Sequence, residues 1–404
     1  MSSTELSAPH LKQPRTVAEP IAWLRRNLFS SWFNSLLTLV LLWLIASLLL
    51  RVLDWLFTQA TWTPVVANIR LFWIGRYPPD QLWRVQLCLG LVLGLFGVSA
   101  GIWGGIVRAV ATGLMGLMVL LIIPPFDAGM RLYFAGLALL IAAMYFGGLR
   151  SGRSLRWPVT GLWIASPLIV LVLIRGFSGS ATLPPVETNL WGGLMLTLLL
   201  AVVGILASFP LGILLALGRR SRLPVVKAFC VAYIEIIRGV PLISVLFMAM
   251  IMLPLFLPPT VRVDTIVRVM VAITLFSAAY LAENVRGGLQ AVPNGQIEAA
   301  RALGLNIFQS TLLIVLPQAL RAVIPAIVGQ FISLFKDTSL VFIVGMIDLL
   351  GIADAIIHQQ AWLTVTGGVQ REVLLFTALI YWTFCFTMAR VARSIETRLG
   401  VGTR

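Results

Sequence analysis

Long apolar runs separated by short polar links occupy most of the chain after residue 30. Runs near 31–57, 85–105, 109–125, 131–149 and 157–175 come first. After a Gly/Ser/Pro-rich stretch at 177–189, others follow near 190–217, 228–257, 265–283, 317–345 and 373–392. A helix needs about 20 apolar residues to cross the hydrocarbon core of a bilayer. The pattern therefore predicts an all-α, polytopic transmembrane bundle of about ten spans. The 109–125 run is the weakest, because Gly101, Gly104, Gly105 and Arg108 interrupt that region. Residues 1–30 are polar and basic and read as a cytoplasmic N-terminal arm. The run that follows is too long for the core of a cleavable signal and predicts an uncleaved anchor.

Composition agrees. Of 404 residues, 59% are hydrophobic and 11% charged, against about 25% charged in soluble domains. A mean hydropathy of +0.97 excludes a water-soluble enzyme and a disordered chain. The net charge of +15 could suggest nucleic acid, but the basic residues cluster in short links, as positive-inside topology requires. Links 150–156 and 218–222 with Lys227, and a tail bearing Arg390, Arg393, Arg398 and Arg404, are placed in the cytoplasm. Gly176–Asn189 and 258–264 are placed outside, and both termini inside. The 58–84 link is the exception, carrying Arg70, Arg76 and Arg84 against Asp80 on the outer side. Cys88, Cys230 and Cys385 lie within apolar runs, and His10 and His358 are far apart, so neither a disulfide framework nor a metal site is expected. Trp55, Trp62, Trp73, Trp83, Trp157 and Trp191 read as interfacial anchors.

The polar residues are unevenly spread. A 31–176 extension of about five spans is poor in them, and 177–189 reads as a periplasmic link. Polar and ionisable residues gather in 190–395, with 396–404 as a cytoplasmic tail. The longest cytoplasmic loop, 284–312, contains Pro293 and Gly295 as a turn, then the helix formers Glu298 to Leu303, then Gly304 as a stop. The result is a short helix with a carboxylate near its N-terminus, where the helix dipole favours it, and with small Ala299 and Ala300 beside it. Helix physics alone also allows an ordinary amphipathic loop helix.

The ordered string changes that balance. Glu298-Ala299-Ala300, Gly304 and Ile314-Val315-Leu316-Pro317 resemble the EAA loop of ABC-importer permeases. Tyr233-Ile234-Glu235-Ile236-Ile237-Arg238-Gly239-Val240-Pro241-Leu242 resembles the signature of polar amino-acid permeases, with Val240 where that family carries Thr. Ala282–Gly288, Leu316–Arg321 and Leu334–Leu340 resemble the same family, so the likeness covers about 190–395. Arg76-Tyr77-Pro78-Pro79 and Trp83-Arg84 resemble the longer permease of the general L-amino-acid importers. The resemblance implies a type I ABC-importer permease core in the bacterial inner membrane, with an N-terminal extension. It also implies that Gly295, Glu298, Ala299, Ala300 and Gly304 dock on an ATPase. Two ATPase copies, a second homologous permease in a heterodimer and a periplasmic amino-acid-binding protein would complete the assembly.

Glu235 and Arg238 share one helical face inside a span, where charges are costly unless paired or facing water. They read either as a structural i,i+3 pair or as lining of a substrate route. Gln330, Ser333 and Asp337 form an i, i+3, i+7 polar stripe with Thr338 beyond it, a candidate path for an amino acid; Lys336 and Asp337 could also simply neutralise each other. Asp348, Asp354, His358 and Glu372 read as outward-facing and solvated. The chain's three lysines, Lys12, Lys227 and Lys336, precede Gln13, Ala228 and Asp337. None has the hydroxyl that follows the lysine of a phosphate loop. ATP and Mg are therefore expected on partner ATPase subunits, with no cofactor, metal or catalytic set in this chain. An ion-gradient transporter using Glu235, Arg238 and Asp337 is the rival, but it leaves the Glu-Ala-Ala helix without a purpose. A membrane-embedded enzyme lacks a catalytic constellation.

Overall fold

The computed structural model describes residues 20–123, 127–258, 260–365 and 367–399, and it divides into two compact units, Met1–Trp62 and Thr63–Arg404. The first unit holds α1 (Pro20–Asn27) and α2 (Trp32–Asp54), the latter running on as a wider turn to Gln59. Ser31 caps α2 by accepting from the Asn34 N–H at 3.2 Å. No residue of α2 is buried by protein; a helix apolar around its whole circumference needs lipid to cover it.

The second unit begins with two short helices, α3 (Thr63–Ala67) and α4 (Ile69–Ile74). Four apolar helices follow: α5 (Leu82–Trp103), α6 (Gly105–Leu120), α7 (Ala128–Ser151) and α8 (Arg156–Arg175). They pack around α5, where Tyr133 donates to the Gln86 carbonyl at 2.8 Å and Trp163 to the Ser99 hydroxyl at 2.9 Å. The 109–125 run starts earlier than its hydropathy implies and gives 16 residues, short of a full crossing. Among the described residues, eight helices are long and apolar enough to cross a membrane, and nine when one bent pair counts as a single span.

That bent pair lies in the second half. After α9 (Gly193–Arg219), α10 (Pro224–Gly239) is followed by α11 (Leu242–Phe247) and α12 (Leu253–Phe256), with a bend of 107°. Proline drives the residue before it into extended geometry. Val240 has φ −110° and ψ 136°, which ends α10 at Gly239. Next come α13 (Thr265–Ala291), α14 (Asn294–Ala302), α15 (Ile307–Gln309), α16 (Leu316–Asp337), α17 (Leu349–Ile357) and α18 (Gln370–Leu399). The pair α9 and α13 forms the centre. On α13 the fully buried Ala278, Ala279 and Ala282 keep side-chain bulk low, which lets apolar helices approach closely where no hydrophobic force from water drives them together.

The two ends of this bundle differ. One gathers the start of α9, the start of α13, α17 and the start of α18. The other gathers the end of α9, the start of α10, the end of α13 and α14. α13 continues to Ala291, two turns beyond the end of its apolar run, so Glu283 and Arg286 are helical residues rather than the beginning of a loop. Likewise α5 begins at Leu82, and Arg84 is a fully buried helix residue whose guanidinium lies 5.8 Å from the Trp83 ring centre, rather than a charge in an outer link.

Candidate functional site: a lever helix, an ionic hub and an open groove

α14 is a short, well-defined helix. Its end has the two bonds of a Schellman motif, Leu305 N–H to the Ala300 carbonyl at 3.1 Å and Gly304 N–H to the Arg301 carbonyl at 2.9 Å. This closure needs a positive φ, and Gly304 supplies +76°. One face is anchored. Ala300 is buried, Ile297 packs on the cluster that holds Leu289, Val292, Val315 and Ala319, and the Gln318 amide reaches the Gln296 side chain at 3.3 Å. Gly295, Glu298 and Ala299 are exposed, and Leu303 beyond them is 79% exposed. The helix is thus fixed from behind and presents a carboxylate, a small residue and an apolar knob in front. Leu303 had no distinguishing sequence signal.

Glu235 and Arg238 do not pair with each other. Glu235 accepts from Arg219 at 2.9 Å, and Arg238 lies 3.5 Å from Glu283 with its guanidinium 5.7 Å from the Tyr280 ring centre. Glu283 also meets Arg219 at 3.6 Å and makes a close two-bond contact with Arg286. One carboxylate therefore joins the last turn of α9, the last turn of α10 and the stretch of α13 that leads to α14. Arg220 adds a bond to the Leu289 carbonyl at 3.1 Å. Sequence spacing pointed to an i,i+3 pair because it cannot see partners on other helices.

The proposed polar stripe is partly dispersed. Gln330 and Asp337 are half-buried and Ser333 exposed, while Thr338 is fully buried and bonded to the Phe335 carbonyl at 2.7 Å. Lys336 and Asp337 form no ion pair, since neighbours in a helix point apart. Instead Lys336 and Ser339 line an open groove of about 470 Å³ with Thr377 and Tyr381. The Tyr381 hydroxyl donates to Asp348 at 3.2 Å, tying the groove to the end of the bundle that holds α17. Thr377 and Tyr381 were missed because they sit singly in an apolar run.

Three residues expected at the surface are buried. Asp348 is fully buried and caps α17, accepting from Gly351 N–H at 2.9 Å and Leu350 N–H at 3.3 Å. Glu372 and Trp191 are also buried. Only Asp354 and His358 stay solvated, 3.5 Å apart. Burial pushes the Asp348 carboxyl up to about 6, against the lowering pull of its three donors. A carboxyl whose pKa is raised by folding favours the folded state at low pH and loses that benefit as pH rises through about 6. Melting of the parent protein should therefore move to higher temperature between pH 7.5 and pH 5. Asp348→Asn keeps a capping side chain and should flatten that part of the slope; an unchanged slope would remove Asp348 as its source.

The family model described as "Binding-protein-dependent transport system inner membrane component" matches residues 208–401. The inner membrane amino-acid ABC transporter permease protein YhdY of Escherichia coli is 39% identical, with 100% of this chain and 99% of that protein covered. The chain belongs to the inner-membrane permeases of ABC transporters. The glutamate/glutamine/aspartate/asparagine transport system permease protein BztC of Rhodobacter capsulatus is 35% identical over 98% of this chain and 97% of its own length. Shorter permeases match differently. The probable glutamine permease GlnP of Bacillus subtilis is 35% identical, with 93% of its length covered but only 52% of this chain. A crystal structure of an amino acid ABC transporter with histidines is 32% identical over 51% of this chain and 92% of its own, with a TM-score of 0.45. The family's members are multi-pass transport subunits, and the type I permease core with an N-terminal extension accounts for a bundle this long.

Proposed function

We propose that the chain is one permease subunit of an ATP-driven importer of L-amino acids, working as a heterodimer with a second permease. Two ATPase subunits hold ATP and Mg, and a periplasmic binding protein delivers the cargo. α14 and both termini face the cytoplasm, and the mouth formed by α17 and the starts of α9, α13 and α18 faces the periplasm. The observation that carries this reading is α14: a capped helix braced by Ile297 beside the buried Ala300, with Glu298, Ala299 and Leu303 turned outward. Such an element transmits force and has no evident role in a carrier driven by ions.

Closure of the ATPase pair on ATP displaces α14. The displacement reaches α9 and α10 through the cluster that Ile297 packs on and the carboxylate of Glu283, and the break at Gly239–Pro241 gives α10 freedom to swing. An alternating-access step of this kind requires that ATP and cargo bind the two states with different affinity. Gln330, Ser333, Asp337 and Thr338, with Lys336 and Tyr381 added, flank the cargo's route. A zwitterionic amino acid suits a groove that offers one ammonium and several hydroxyls. In proteoliposomes, uptake should require internal ATP and survive collapse of proton and sodium gradients. Uptake that follows the gradients without ATP would overturn the reading.

A further inference from the structure

We infer that Thr63–Tyr77 is an added docking element for the soluble delivery protein, presenting Arg70, Trp73 and Arg76 to an acidic surface on it. The inference rests on the importer reading and goes beyond it, because the family model begins at residue 208 and leaves this segment outside.

The segment has two faces. Asn68, Phe72 and Gly75 are buried, at spacings of four and three, followed by the fully buried Tyr77. Phe72 meets the Phe376 ring of α18 with centroids 4.9 Å apart, and Asn68 accepts from Gln359, just after α17, at 3.0 Å. Gly75 lies backbone to backbone on Gly192 with φ +64°, where any side chain would sit 2.5 Å from the Gly192 Cα. Tyr77 donates to the Ile174 carbonyl at 2.8 Å. These contacts hold the segment on the mouth end, against α17, whose Leu350 helps line the Lys336–Tyr381 groove. A protein handing cargo to that groove passes this segment.

The other face interleaves with the first. Arg70 and Arg76 are exposed and Trp73 is 43% exposed. Among the described residues neither arginine has a carboxylate within ion-pair distance, and the nearby Asp80 is bonded to Gln81. Basic residues on the translocated side run against the topological bias. Two unneutralised guanidiniums flanking an aromatic match what protein interfaces favour, since Arg and Trp lead among residues that anchor them. Cationic partners on the mouth select an acidic surface and speed its encounter.

The test uses the complete complex in vesicles of zwitterionic lipid, and in vesicles that also contain anionic lipid. The probe is the purified amino-acid-binding protein that supports uptake by the unaltered complex, titrated while ATP hydrolysis is followed. For Arg70→Glu with Arg76→Glu, the concentration giving half-maximal stimulation should rise about tenfold in both lipids, with the maximal rate retained and a weaker dependence on salt. Trp73→Ala should raise it several-fold, and Arg70→Lys with Arg76→Lys should stay near the parent. Titrations indistinguishable from the parent would overturn the inference. So would a change confined to anionic vesicles, which would assign the arginines to lipid headgroups. If no binding protein stimulates the unaltered complex, the importer reading itself fails.

Discussion

Glu298→Lys should abolish ATP-driven uptake while the subunit still inserts and assembles. The fold has little stake in this side chain. Glu298 is exposed and forms no ion pair among the described residues, and such surface changes usually cost within about 0.5 kcal/mol. A few tenths more come from the helix dipole, which fades beyond the first turn. At a docked interface the balance differs, because a reversed charge puts like against like and costs several kcal/mol. A loss of about 3 kcal/mol is roughly a hundredfold. Gly304→Asp should give a milder defect by another route. Its neighbourhood is open, so nothing clashes. The penalty is the left-handed backbone, about 1 kcal/mol for a residue that tolerates that region better than most, and it loosens the closure beneath Leu303. Uptake, hydrolysis and membrane level measured together separate the effects. Normal uptake with Glu298→Lys would remove α14 as the point of force transfer.

What the sequence makes legible here is local. The spans stand out because each carries its own apolar run, and α14 because Pro293 and Gly304 bound it within a dozen residues. Errors arise where distant contacts decide. Asp348, Glu372 and Trp191 looked solvated or interfacial, yet the mouth closes over them through partners far away in the chain, such as Tyr381 on Asp348. α13 looked shorter because Glu283 and Arg286 interrupt the hydropathy; their charges are compensated across helices, so the helix carries on. Arg84 misleads for another reason: it is fully buried in α5 with no ion pair among the described residues, its guanidinium 5.8 Å from the Trp83 ring centre. The pairing rule for one helix face supplied a partner for Glu235 that tertiary packing replaced with Arg219, sixteen positions earlier. The groove residues Thr377 and Tyr381 were invisible because a single hydroxyl in an apolar run has no pattern to announce it.

The same cross-helix wiring makes Glu283→Gln a damaging change despite its conservative chemistry. Glu283 is the meeting point of Arg219, Arg238 and Arg286, with side chains between 22% and 33% exposed. Taking one partner from a buried ion pair costs about 3–5 kcal/mol because the survivor is left uncompensated. Partial exposure lowers this, and about 1–3 kcal/mol is the expected loss. Glu235 cannot compensate, since it reaches Arg219 alone among the three and its own side chain is 55% exposed. The order of melting temperatures should therefore be Glu235→Gln close to the parent and Glu283→Gln well below. Adding Arg286→Gln to Glu283→Gln should recover part of the loss, because residues in one network combine non-additively. Uptake per ATP hydrolysed should fall with Glu283→Gln, since motion of α14 then reaches α9 and α10 only through the packing of Ile297. Equal melting of Glu235→Gln and Glu283→Gln, or strict additivity in the double variant, would contradict a hub. A hub with intact coupling would show reduced stability and an unchanged ratio of uptake to hydrolysis, which confines Glu283 to holding the helices together.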